Sequence, residues 1–343
     1  MAEAPAELGT FERYLVNEFY DDYKEGTLPR RAFFRRVAYI TGGMAAAAST
    51  LAAMGCSGPD LPDPKASIPA ATPTAAPPKA TPTATPAGTT VPVPNAKSPL
   101  SVPDGDPAVR GRDVTFPSGS AQGGGYLALP AASSTTKRAA ILICHENAGL
   151  TPHVRDVARR FAKEGYAALA LDLLAREGGT DKNERDRIPG LLTGAGIDRH
   201  VADFAAARTY LGTVEGVDNT RVGMTGYCFG GGVSWAAATK IPELKAVVPF
   251  YGPAPADLTT LSGIKAAAFG VYAANDARIT DGQGGGTSQA ALDAALTTAK
   301  VTHQMKVYPG VGHAFHNDTG MAYNEAQATQ AWKDTLAWFT KYV

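Results

Sequence analysis

The chain has 343 residues, and its 32 Lys plus Arg are matched by 32 Asp plus Glu, for a pI near 7.0. That balance leaves no basic excess for a nucleic-acid partner and no acidic excess for a cationic one, so a small-molecule task is expected. Three cysteines, Cys56, Cys144 and Cys228, are an odd set for a disulfide framework, and no structural disulfide is expected.

In chain order, Phe11, Tyr14, Leu15, Phe19 and Tyr20 fall near helical spacing and predict a short amphipathic helix whose role is not readable. The run RRAFFR at 30–35 precedes an alanine-rich apolar stretch from Val37 to Met54, and together they resemble a twin-arginine export signal. A plain transmembrane anchor is the alternative, since a stretch of about 18 residues can just span a bilayer. The sequence AAMGC, ending at Cys56, resembles a lipoprotein processing site, with Ala53 where leucine is usual, so Cys56 is a candidate lipidation site. Each of these readings puts the folded part at the outer face of the cell membrane, in the periplasm or at the surface.

From Ser57 to Pro107 there are 14 of the chain's 25 prolines and no aromatic residue. Such a segment cannot bury enough apolar surface to fold, and it predicts a disordered linker over 57–108. The expected organisation is therefore an export signal or anchor over 1–56, that linker, and one folded domain over 109–343, acting as a monomer.

Within that domain strands and helices alternate. Val114–Phe116 and Tyr126–Leu129 predict opening strands, and Ala139–Cys144 and Ala167–Leu171 are continuous apolar runs of the buried parallel kind. A helix is expected over Val154–Lys163, a polar stretch over Arg176–Gly196, and a long helix over Asp198–Leu211. A strand at Arg221–Thr225 leads into GYCFGGG at 226–232, and a helix follows to Lys240. Strands at Ala246–Tyr251, Ala267–Ala273 and Met305–Tyr308 and helices at Ser288–Lys300 and Tyr323–Tyr342 complete the pattern. This alternation implies an α/β fold, with a mainly parallel central sheet covered by helices on both faces and ligands at the carboxyl ends of its strands.

GYCFGGG reads as a nucleophile elbow with cysteine in the place of serine; a close-packed corner or a phosphate cradle is the plainer alternative. Cys228 is the candidate nucleophile, at a helix N-terminus that favours its thiolate. Asp276 and His313 follow just past two later strands, giving the chain order nucleophile, acid, histidine of an α/β-hydrolase. His313 and His316 form an HxxH pair, and His145 precedes Glu146, but neither is completed into a zinc site; no metal and no cofactor are expected.

Together GYCFGGG, CHENAG at 144–149, LDLLAR at 171–176, NDARI at 275–279 and GHAF at 312–315 resemble the dienelactone hydrolase family across essentially the whole catalytic domain. The resemblance implies an α/β-hydrolase fold and a Cys228, Asp276 and His313 triad, with Glu146 beside the thiol controlling its ionisation. It also implies an oxyanion hole from the backbone N–H groups of Phe229 and Asn147. Of the two arginines that the family's lactone hydrolases place around a substrate carboxylate, Arg176 matches one as a substrate-binding residue, whereas Asn317 stands at the other. The expected activity is cleavage of a small ester or lactone through a cysteinyl thioester. A broader esterase or acyltransferase on the same triad, an extracytoplasmic ligand-binding module with a vestigial site, and a structural surface lipoprotein are the alternatives.

Overall fold

A computed structural model describes residues 7–66, 90–283 and 286–343; the middle of the proline-rich segment, residues 67–89, lies outside them. The apolar runs form the strands that their composition requires. The strands are β1 (Val109–Ser118), β2 (Ala121–Pro130), β3 (Arg138–Cys144), β4 (Ala167–Leu171), β5 (Val217–Tyr227), β6 (Ala246–Phe250), β7 (Ala267–Ala273) and β8 (His303–Tyr308). They build one eight-stranded sheet in the order β1-β2-β4-β3-β5-β6-β7-β8. β2 runs antiparallel to β1 and β4, and every other neighbouring pair is parallel.

The helices are α1 (Thr10–Lys24), α2 (Arg30–Thr41), α3 (Met44–Ala53), α4 (Pro152–Lys163), α5 (Ile188–Ala195), α6 (Ile197–Leu211), α7 (Phe229–Lys240), α8 (Ala277–Thr280), α9 (Gln289–Thr298) and α10 (Glu325–Tyr342). Helices cover both faces of the sheet, which suits β3 and β4, buried along nearly their whole length. α4 meets α10 through Phe161, whose ring lies 4.5 Å from Trp332 and 5.8 Å from Phe339. Within the stretch 176–196, expected to be polar loop, Ile188 and Leu192 bury their side chains and form α5.

The N-terminal segment differs from the expectation of a part separate from the catalytic domain. Leu15, Val16, Phe19, Phe33, Val37 and Leu51 are fully buried in the same core as the sheet. Gly42 (φ 89°) and Gly43 (φ 155°) end α2 and split the apolar run 37–54 into two short helices. Among the described residues no helix is long and apolar enough to cross a membrane. α2 lies so close to α5 that a Cβ on Gly190 would come 2.6 Å from the Tyr39 carbonyl oxygen. Arg35 pairs with Glu184, and Arg36 reaches Asp186 at 3.1 Å.

The linker expected over 57–108 is likewise corrected at its C-terminal end. Val93 and Val102 are buried, Val91 and Asp104 form a β-bridge, and the Val102 N–H donates to Asp156 of α4 at 2.7 Å. Two apolar side chains and a buried carboxylate acceptor suffice to anchor this otherwise proline-rich stretch.

Asp156 belongs to a buried network that fixes the loop after β8. Asp318 accepts from His153 at 2.8 Å and from Arg160 at 2.8 Å, and Arg160 also pairs with Asp156 at 3.2 Å through Nε. His153 and Arg160 hold the Asp318 carboxyl far below the usual range against the opposing effect of its burial. A depressed pKa stabilises the fold above the unfolded-state value of about 3.9 and ceases to do so as pH falls below it.

Two stability outcomes follow. Phe33→Ala should cost about 3–5 kcal/mol in urea denaturation of the whole chain, as loss of a fully buried aromatic ring does, within a single transition if α2 shares the core. Asp318→Asn should cost about 3 kcal/mol at pH 7, because it strips a buried ion network of one partner, and the gap from the parent should narrow as the pH is lowered below about 4.

Candidate active site

β5 passes directly into α7 with Cys228 as the only residue between them, at φ 56° and ψ −119°. A non-glycine side chain tolerates this backbone poorly, so its surroundings must over-determine it. The Cys228 N–H donates to the Phe250 carbonyl at 3.1 Å, and the Cys228 carbonyl accepts from Gly231 at 2.9 Å. The glycines of the motif are explained by clearance. A Cβ on Gly226 would come 2.1 Å from the Gly230 oxygen, one on Gly230 2.4 Å from the His145 oxygen, and one on Gly231 2.3 Å from the Phe250 oxygen. The turn is a nucleophile elbow, closed so tightly that only hydrogen atoms fit at its flanks.

Asp276 lies just past β7 as the N-cap of α8, and His313 lies past β8. Their side chains meet, with His313 Nδ1 2.6 Å from Asp276 Oδ2. The Tyr251 ring packs against the imidazole at 4.8 Å. Parallel strands ending at one edge thus bring together three residues that are up to 85 positions apart in the chain.

The sequence reading missed what α1 contributes. Tyr14 Oη lies 3.2 Å from Cys228 Sγ and 3.3 Å from His313 Nε2. The Glu18 carboxylate oxygens lie 3.6 and 3.7 Å from Sγ, and Glu18 Oε1 accepts from the Asn147 side-chain amide at 2.9 Å. Phe11, one turn before Tyr14, packs its ring edge-on to Phe229 at 5.1 Å. Phe11, Tyr14 and Glu18 share one helix face by their spacing, and a carboxylate on the otherwise apolar face was the signal available.

Two residues assigned by resemblance are engaged differently. The Arg176 guanidinium is held by the nearly buried Asp203 and by Ser118, at 3.1 Å from its hydroxyl, and so is spent neutralising a core carboxylate. Glu146 Oε2 accepts from the Asn317 amide at 2.7 Å, and Glu18 is the carboxylate hydrogen-bonded to the thiol among the described residues. Asn147 lies in the loop after β3 and Phe229 is the first residue of α7. Cys56 is buried, its N–H bonded to the Leu51 carbonyl at 3.0 Å.

Burial first, and then the Glu18 charge, push the Cys228 thiol up to about 11, against the hydrogen bond and charge of His313; Glu146 adds to the rise. Burial works against protonation of His313, but the Asp276 carboxylate, assisted by Cys228 and Glu18, lifts it well above the usual imidazole value. The site at rest favours a neutral thiol beside a protonated imidazole. Sγ, a His313 ring nitrogen and a Glu18 oxygen lie within 4.8 Å of one another, a donor set of the kind zinc accepts, as do donors of His153, Asp156 and Asp318. The second group is already neutralised by Arg160.

A cleft of about 560 Å³ leads to this cluster, lined by Asp276 and His313 on one side and by Tyr14, Glu18, Asp21 and Asp22 of α1 on the other. Its single arginine, Arg278, is paired with Asp21. Burial and the neighbouring Glu18 raise Asp22 to about 6. On the far side of α1 an apolar cavity of about 360 Å³ lies between Phe11, His200, Phe229 and Ala236.

Comparison with known proteins gives the family of the chain. A protein of Salmonella typhi that carries the name carboxymethylenebutenolidase is 33% identical over 271 residues, covering 73% of this chain and 93% of its own. One of the same name from Methylorubrum extorquens is 32% identical over 231 residues, covering 63% of this chain and 76% of its own. A crystal structure from Klebsiella pneumoniae named for dienelactone hydrolase superposes with a TM-score of 0.63 at 28% identity, covering 68% of this chain and all of that one. The model of the dienelactone hydrolase family matches residues 124–343. With these matches and an elbow, an acid and a histidine at the edge of one parallel sheet, the chain belongs to the dienelactone hydrolase family and is an α/β-hydrolase.

Proposed function

We propose that the chain cleaves a small, uncharged ester or lactone through a thioester on Cys228, at the outer face of the cell membrane. The observation that carries the chemistry is the hydrogen-bonded His313 and Asp276 pair facing Cys228 on its strained elbow. Asp276 fixes the imidazole tautomer with Nε2 directed at the thiol side. With Nε2 unprotonated, His313 takes the thiol proton as Sγ attacks the substrate carbonyl carbon. The carbonyl electron pair moves to oxygen, where the N–H groups of Phe229 and Asn147 would receive the charge. Collapse breaks the bond to the leaving oxygen, which takes the proton from His313 and departs as an alcohol. A water molecule then gives a proton to His313, attacks the thioester and releases the acid, and the thiol regains its proton.

The preference for an uncharged substrate rests on the charges of the cleft. Glu18, Asp21, Asp22, Glu25 and Asp276 line it, Arg278 is neutralised by Asp21, and Arg176 by Asp203. Among the described residues that line the cleft, a substrate carboxylate would meet no available guanidinium and a surplus of like charge. The location is supported by the RRAFFR run and the alanine-rich stretch behind it; cell fractionation that recovers the chain with the cytoplasm would refute it.

In a panel of p-nitrophenyl acetate, uncharged lactones and carboxylate-bearing lactones, the whole chain should turn over the uncharged compounds with kcat/KM about tenfold or more above that for the anions, as one unmatched charge implies. Cys228→Ala should reduce every rate by at least about a thousandfold. Hydrolysis that survives in Cys228→Ala would remove the nucleophile assignment. A folded, reduced parent no more active than that variant would favour a binding module.

A further inference from the structure

We propose that Tyr14 and Glu18 of α1 are a further part of this active site, with Glu18 the positioning carboxylate of the resting Cys228 thiol and Tyr14 the group that fills the reacting space until α1 withdraws. The inference rests on Cys228 being the nucleophile.

Cys228 is 3% exposed and Tyr14 6% exposed, so the nucleophile has no open face while α1 is seated. The Tyr14 hydroxyl stands within hydrogen-bond reach of both Sγ and Nε2, the two atoms between which a substrate must insert for attack and proton transfer. It therefore occupies the place of the scissile group. On one side of α1 lies the polar cleft that reaches His313, and on the other the apolar cavity beside Phe229. Withdrawal of Phe11 and Tyr14 joins the two into one groove, with the elbow at its floor.

Glu18 acts on the thiol from a fixed position. Its Oε1 is held by the Asn147 amide, and both oxygens face Sγ. The neutral thiol can donate to this carboxylate, whereas a thiolate would confront it charge to charge. The same negative charge favours the imidazolium of His313. While α1 is seated, then, the thiol keeps its proton and the base is already protonated, so the triad cannot begin the reaction. When α1 leaves, its burial of the thiol and the Glu18 charge go with it, and Cys228 titrates at lower pH.

Other groups facing the thiol are accounted for. Tyr14 and Glu18 come from α1, Cys144 from β3, Glu146 from the loop behind it, Tyr251 from just past β6 and His313, backed by Asp276, from the loop after β8. Asp22 stands near Glu18 and His313, and Arg278, like His313, feels the Glu18 charge. Of the carboxylates, Glu18 is the one in hydrogen-bond contact with Sγ, and Glu146 is engaged by Asn317.

The test uses the whole chain and iodoacetamide, with the alkylated residue mapped by mass spectrometry and ester hydrolysis followed in parallel from pH 5 to 12. Glu18→Gln keeps an oxygen for Asn147 and removes the charge, so the midpoint of Cys228 alkylation should move down by about one unit and the rate at pH 7.5 should rise about tenfold. The acid limb of hydrolysis should move in the same direction. Tyr14→Phe should speed alkylation without moving the midpoint as far. Unchanged midpoints in a folded Glu18→Gln chain whose hydrolysis still depends on Cys228 would overturn the role of Glu18 and leave the nucleophile reading standing. Alkylation that maps elsewhere, with hydrolysis surviving Cys228→Ala, would overturn the nucleophile reading itself.

Discussion

The geometry of the site depends on one constraint, the left-handed backbone of Cys228 between a strand and a helix that follow each other without a loop. A turn so sharp requires Gly226, Gly230 and Gly231 to lie against backbone oxygens where no Cβ can stand. It also requires β6 alongside to supply the Phe250 carbonyl that holds the Cys228 N–H. Because β5 is central in a parallel sheet, the strands on one side of it, β6, β7 and β8, and β3 on the other release their loops at the same edge. Asp276 and His313 need only lie within a few residues of the ends of β7 and β8 to come to the edge where the thiol stands.

The electrostatic character of the site follows from how its carboxylates are engaged. Arg176 and Arg160 neutralise Asp203 and Asp318 in the interior, and Arg278 is tied to α1. Asn317 gives Glu146 an amide in place of a charge. What remains around Cys228 and His313 is net negative, which raises both groups together and does not separate them into a thiolate and imidazolium pair. A single residue, asparagine at 317, thus bears on both the substrate charge and the state of the nucleophile.

Much of this was legible in the sequence because it is local. The runs 139–144 and 167–171 are too apolar to be anything but central strands, and the glycine spacing around Cys228 encodes the elbow directly. Asp276 and His313 could be named because strand ends in a parallel sheet converge. The partner of Arg176 could not, since Asp203 lies on α6 and looks in sequence like any surface acid. Nor could the seat of α1. Its Tyr14 and Phe19 announce an apolar face, but what that face covers depends on tertiary packing, and the alanine-rich run behind it has the composition of a leader as well as of a core.

That core carries its own consequence. α1, α2 and α3 all precede Cys56, the position at which a lipoprotein-type cut would fall, and with them lie Phe11, Tyr14 and Glu18. A cut there would strip the cover from the elbow, together with the carboxylate that keeps the thiol protonated. The uncut chain would then be the slower form of the enzyme, and the event that fixes where it resides would also raise its activity.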